Sequence, residues 1–191
     1  MKKKIAVFAS GSGSNAENIA VYFEHSEVAS VALIVTVSVM AGVVERATRL
    51  DIPVDIITKK EFQDEALILK KLAEMEIDFI VLAGFLWLVP GYLLKAYEKK
   101  IINIHPALLP FHGGKGFYGQ RVHDAVIASE SSISGITIHY VNEHFDEGEI
   151  IFQAACYVDP GEDAATLAKK IHALEHKYFP VVIEKLLRES K

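Results

Sequence analysis

The chain has 191 residues, 51% of them hydrophobic, enough for one domain spanning 1–191 with a full core. Twenty basic residues against twenty-five acidic ones give a net charge of −5, which excludes the basic footprint of a non-specific nucleic-acid binder and leaves room for small anionic ligands. A single cysteine, Cys156, excludes an intrachain disulfide and fits a reducing, cytoplasmic setting, and no apolar run approaches the ~20 residues of a membrane span.

The start, MKKKIAVFAS, is basic and then apolar, but Ile5 to Ala9 is too short for the apolar segment of a signal peptide. Lys4 to Ala9 instead predicts a buried strand, SGSGSN a turn, and Ala16 to Phe23 a helix. Val31 to Val37 predicts a second strand and Ala41 to Leu50 a helix, ended by Pro53; Val54 to Ile57 is a third strand. Phe62, Ala66, Leu69, Leu72 and Ala73 recur at helical spacing, and Asp78 to Ala83 predicts a fourth strand. Pro90 is placed to open a short helix containing Tyr92 to Tyr97, and Ile101 to Ile104 is a fifth strand.

FHGGKGFYGQ reads as a glycine-rich, mobile loop. Two strands follow, 135–141 and 149–158, with no helix between them, and Asp163 to Ser190 predicts a long helix kinked or split at Pro180. The pattern defines an α/β fold. It is a Rossmann-like, open, mostly parallel twisted sheet with helices on both faces and an antiparallel C-terminal strand pair.

Three places carry chemistry. In SGSGSN, between the first strand and the first helix, Gly11 and Gly13 allow close backbone approach, and the helix start offers unpaired N–H groups to a phosphate. Gly11, Gly13 and Ala16 also match the dinucleotide fingerprint. The second strand ends in VTVSVMAG without the acid that fingerprint requires, so a phosphomonoester fits better. In IINIHPALLP, Asn103 and His105 stand at the carboxyl end of the fifth strand, where open α/β sheets bind ligands. Asp146, in HFDEGE, is either a turn former or the partner that holds His105 as an imidazolium and raises its pKa. HALEH, His172 to His176, matches a zinc-protease pattern, but too little chain follows for the further ligand; no metal is expected, and His172 and Glu175 face a polar ligand or solvent. Cys156, in an apolar run, reads as a packing residue.

Taken together, ASGSGSN, VLAGFLWLVP, INIHPALLP, GITIHYVNEHFDEGEII and EHKYFPVVI resemble the folate-dependent formyltransferases, in order and over nearly the whole chain. Asn-x-His-Pro with a downstream Asp-x-Gly marks that family, and the glycine-serine-asparagine turn marks its glycinamide ribonucleotide branch. The resemblance implies transfer of the formyl group of 10-formyltetrahydrofolate, as co-substrate, to glycinamide ribonucleotide in purine biosynthesis. Transfer would be direct, through a tetrahedral intermediate, without metal, nucleic acid or membrane, in a monomer or homodimer.

It implies a catalytic trio of Asn103, His105 and Asp146. Gly13, Ser14, Asn15 and Glu175 would serve the ribonucleotide. Leu86, Trp87, Leu88 and Val89 would line the pterin site, with Thr137 and His139 on the folate side. Trp87 stands where some members carry a basic residue, and the loop FHGGKGFYGQRVHD is longer than in many relatives. Three rivals exist. A formyltetrahydrofolate hydrolase is disfavoured because the chain opens on the first strand, and an initiator-tRNA formyltransferase because no basic RNA-binding domain is evident. A non-catalytic phosphometabolite-binding module leaves Asn103, His105 and Asp146 without a reason to occur together.

Overall fold

The computed structural model describes residues 2–189. β1 (Lys3–Phe8) leads into α1 (Ser14–Phe23), β2 (Ala29–Thr36) into α2 (Gly42–Arg49), and β3 (Val54–Ile56) into a 3₁₀ turn (Glu61–Gln63) and α3 (Glu65–Glu74). β4 (Phe79–Leu82) leads into α4 (Gly91–Ala96), and β5 (Ile101–His105) into α5 (Gln120–Ala128). β6 (Ile133–Tyr140), β7 (Ile150–Tyr157) and α6 (Ala164–Glu189) complete the chain. The seven strands form one sheet in the order β3-β2-β1-β4-β5-β6-β7. β1 to β5 run parallel, and β6 and β7 are antiparallel to their neighbours, as the strand pattern predicts.

The apolar runs of the central strands follow from burial on both faces. On one face Val7, Val81 and Ile102 belong to a cluster with Ile19 and Phe23 of α1 and Ile171, Phe179 and Ile183 of α6. On the other, Phe8, Ile80 and Ile101 pack with Ile68 and Leu72 of α3, Leu93 of α4 and Phe62. Each such side chain, fully buried, contributes roughly 1.5–3 kcal/mol relative to exposure. Among the described residues no helix is long and apolar enough to cross a membrane.

The structure departs from the sequence reading at three places. Gln120–Ala128 is a helix, not part of a loop; it buries only Val122, His123 and Val126, so its apolar stripe is short, and glycines precede it. Pro90 is the N-cap of α4 rather than its first helical residue. α6 runs through Pro180 without splitting. A mid-helix proline cannot donate to the carbonyl four residues back, here that of His176. Asn18 Nδ2, from α1, donates to that carbonyl at 2.8 Å and fills the gap. Ser190, at the end of the expected helix, lies outside the described residues. Asn18→Ala is expected to lower stability by about 1 kcal/mol, read as a shift in the urea midpoint at constant m.

The strand order reverses between β1 and β4, the topological switch point of an open α/β sheet. The segments leaving the carboxyl ends of β1, β4 and β5 therefore open into one crevice.

Candidate active site

That crevice is a cavity of about 670 Å³. Its walls are Ser10 to Asn15 after β1, Leu82 to Val89 around the end of β4, Asn103 to Pro106 at the end of β5, and the glycine-rich segment 114–120. Asp146, His139, Glu175 and His172 close it.

The β1 end is built for an anion. Gly13 is the N-cap of α1 with φ 78°, and a Cβ there would lie 2.5 Å from Val43 Cβ, so glycine is required on both counts. The first N–H groups of α1 face outward unpaired, at the positive end of the helix dipole. α2 buttresses the turn: Val43 N–H donates to Gly11 O at 3.2 Å, and Arg46 Nε donates to Ser12 O at 2.9 Å. Glu17 pairs with both Arg46 and Arg49, fixing the guanidinium of Arg46 below the turn. Behind it, Glu175 is buried and its Oε2 accepts from Asn15 Nδ2 and faces His172 Nδ1, each at 2.9 Å. That contact holds the His172 imidazole above its ordinary pKa.

The β5 end brings Asn103, His105 and Asp146 together. β5 pairs with β6 so that Asn103 stands opposite His139, and directly opposed residues share a face. His139 Nδ1 donates to Tyr140 O at 2.8 Å, leaving Nε2 to accept from Asn103 Nδ2 at 3.1 Å. The second amide hydrogen of Asn103 reaches Asp146 Oδ1 at 3.3 Å. Asp146 Oδ2 accepts from Gly114 N–H at 2.9 Å and lies 3.4 Å from His105 Nδ1. His105 Nε2 donates to His112 O at 2.8 Å, so the nitrogen free to titrate is Nδ1, the one that faces Asp146.

Asp146 has φ 59°, in the left-handed region that few residues other than glycine and asparagine tolerate. Gly148 explains how the turn is held: a Cβ there would fall 1.6 Å from Tyr140 O. The Asp-x-Gly spacing thus lets the chain close against β6 and swing the carboxylate back to β5. Gly148→Ala is expected to cost about 2–3 kcal/mol and to lower activity with it, measured by thermal melting and turnover on the same preparation.

Electrostatics correct one expectation. The sequence reading has Asp146 raising the pKa of His105, but burial dominates and holds the imidazole below its ordinary value, with Asp146 and the His112 carbonyl opposing. For Asp146, burial pushes up, and His139, 3.6 Å from Oδ1, His105 and the Gly114 N–H together push the carboxyl below its ordinary range. Both folded values are depressed, so the unfolded chain binds more protons as pH falls. The stability from His105 is complete above about pH 6.5 and is lost as pH drops through its folded pKa; that from Asp146 is lost only in stronger acid. His123 shifts the same way as His105, and His172 the opposite way. The melting temperature is therefore expected to fall between about pH 6.5 and 5, and more shallowly in His105→Gln than in the wild type.

The lip formed by Leu86, Trp87, Leu88 and Val89 lines the cavity. Leu86 and Leu88 are exposed, while Trp87 packs on Phe62 and Phe85 with ring centroids 5.8 and 5.9 Å away. Thr137 differs from its expected place. It is fully buried and is not part of the cavity wall. Its hydroxyl donates to Ala107 O at 2.7 Å and accepts from Leu109 N–H and Gln153 Nε2, each at 2.9 Å. Thr137 therefore shapes the turn after β5 instead of facing a ligand. His139 does line the cavity, but at the Asn103–Asp146 cluster. Sequence reasoning did not single out Phe117, Tyr118 or His123 as wall residues; the Val122/Val126 spacing was the available sign of the helix that carries His123. Among the described residues no group of three or more His, Cys, Asp or Glu is arranged to hold a metal.

An open α/β sheet with an anion turn at its switch point and an amide–imidazole–carboxylate cluster beside it defines a transferase-like site on a doubly wound fold. The chain belongs to the formyl transferase family, which it matches over residues 3–183. It is 42% identical over 190 residues to a phosphoribosylglycinamide formyltransferase of Bacillus subtilis (strain 168), covering 97% of this chain and 95% of the relative. It is 41% identical over 196 residues to the chloroplastic phosphoribosylglycinamide formyltransferase of Vigna unguiculata, covering 98% of this chain but only 62% of that relative's length. The crystal structure of phosphoribosylglycinamide formyltransferase from Bacillus halodurans superposes with a TM-score of 0.88 at 39% identity, covering 99% of this chain and 97% of the other.

Proposed function

We propose that the protein transfers the formyl group of 10-formyltetrahydrofolate to the amine of 5'-phosphoribosylglycinamide, yielding N-formylglycinamide ribonucleotide and tetrahydrofolate in purine biosynthesis. The observation that carries this reading is the placement of Asn103, His105 and Asp146 in one cavity with the Gly13–Asn15 turn. Full-length similarity to the Bacillus subtilis enzyme supports the same reaction. The single cysteine supports a reducing, cytoplasmic setting.

Gly13, Ser14 and Asn15 hold the ribonucleotide phosphate on the N-terminus of α1, and Glu175, anchored by Asn15, faces the glycinamide ribonucleotide. The apolar lip Leu86–Val89 and its backbone groups suit a flat, hydrogen-bonding pterin. The folate supplies an activated formyl carbon. Attack by the amine puts negative charge on the formyl oxygen; Asn103 Nδ2 is the donor placed to stabilise it, and His105, whose Nε2–H is held by His112 O, joins it only when Nδ1 takes a proton.

Asp146 accepts the proton released by the amine, directly or through a water, and returns it to the departing nitrogen. Both amide hydrogens of Asn103 are engaged, and the Asp146 contact is the longer of the two. When Asp146 takes the proton its acceptor strength falls, which frees that N–H for the oxyanion as charge develops.

The test is the absorbance change of 10-formyl-5,8-dideazafolate or the natural donor with and without ribonucleotide. Turnover that requires the ribonucleotide supports the transferase. Deformylation without it points to a hydrolase, and binding of ribonucleotide without turnover to a binding module.

A further inference from the structure

Among the described residues, six buried side-chain polar atoms have no hydrogen-bond partner. Three of them, Ser10 Oγ, Asn15 Oδ1 and His123 Nδ1, belong to residues lining the active-site cavity, whereas Thr36, Ser134 and Glu162 do not line it. Buried polar groups in folded proteins are satisfied with few exceptions, so orphans gathered on a ligand cavity mark contacts that a ligand completes.

His123 is the most informative of the three. It sits on α5 and is 4% exposed. Burial holds its imidazole below the ordinary pKa, and Glu175 is the leading charge acting on it, followed by His172, Asp124 and His105. The ring is thus neutral near pH 7, a donor at one nitrogen and an acceptor at the other. Glu175 is bonded to Asn15 at the phosphate end, and His105 stands at the reaction centre. His123 lines the same cavity as the Gly13–Asn15 turn and the Asn103–His105 end, and in a ribonucleotide reaching from one to the other the group between phosphate and amine is the ribose. Asn15 Oδ1 can only accept, so the missing group must donate; a hydroxyl both donates to Asn15 and accepts from an imidazole N–H.

We propose that His123 is a substrate-binding residue that hydrogen-bonds a ribose hydroxyl of the ribonucleotide, with Asn15 Oδ1 as the companion acceptor. The proposal rests on the formyl-transfer reading and adds to it the residue that reads the sugar.

The experiment is steady-state kinetics on His123→Leu and His123→Asn, with melting curves on the same samples. His123→Leu is expected to raise KM for glycinamide ribonucleotide about tenfold, the loss of roughly one hydrogen bond, with kcat and the folate KM within about twofold. Its melting temperature should be unchanged or higher, because no hydrogen bond within the protein is removed. His123→Asn should recover part of the ribonucleotide KM. A wild-type ribonucleotide KM in His123→Leu overturns the proposal while leaving the transferase intact. So does a lowered melting temperature with both KM values raised alike, which is the mark of a purely structural histidine. If His123→Leu fails to fold, a His123→Asn variant that shows no change in ribonucleotide KM overturns it. A wild-type protein that neither binds nor uses the ribonucleotide overturns both readings at once.

Discussion

Asp146→Asn is expected to lower kcat by about a thousandfold, with the ribonucleotide KM changed by less than about threefold. Asparagine is nearly isosteric and keeps an oxygen to accept from Gly114 N–H, the bond that ties the glycine-rich segment to the site. It also tolerates the left-handed backbone at this position, where φ is 59°. The turn after β6 and the Gly13–Asn15 turn are therefore preserved. What is lost is a carboxylate held ionised by His139, His105 and Gly114, and with it the only carboxylate adjoining both Asn103 and His105 among the described residues. A kcat within tenfold of wild type, from folded protein, would show that protons leave the amine by another route.

Asn103→Ala is expected to lower kcat by about 10²–10³, the usual cost of removing one oxyanion donor. The effect should fall on kcat more than on KM, because the donor acts on charge that exists only in the transition state. The substitution also removes a contact to His139 at 3.1 Å and one to Asp146 at 3.3 Å. The carboxylate and the amide are thus coupled, and Asn103→Ala combined with Asp146→Asn should lose far less than the product of the single losses. Rapid-quench kinetics on the three variants separate these cases; strictly multiplicative losses would show that the two groups act independently.

The order of strands and the parallel-to-antiparallel change were legible because each strand is a short β-branched run and only the last two lack a helix between them. Asn103 and His105 were legible for a local reason: polar residues close an otherwise apolar strand at the end where open sheets bind ligands. Asp146 was not fixed by spacing. Its approach depends on a left-handed turn and on Gly148 packing against Tyr140, a long-range closure that no periodicity reports. α5 was lost because one turn of valines after four glycines carries too little pattern, and His123 was lost with it. Pro180 was read by its intrinsic effect, whereas Asn18, on another helix, satisfies the carbonyl that the proline leaves without a donor. The direction of the His105 shift turned on burial, a quantity that a charge-pair argument from sequence leaves out.

The central claim is direct transfer between two substrates held in one cavity, and the measurement that tests it most directly is a single-turnover quench with donor carrying a labelled formyl carbon. The account predicts label passing from folate to ribonucleotide at the rate of turnover, with none on protein or in formate, and a transfer rate lowered about a hundredfold or more in Asn103→Ala. Label accumulating on the protein, or released as formate while the ribonucleotide stays unformylated, would contradict it.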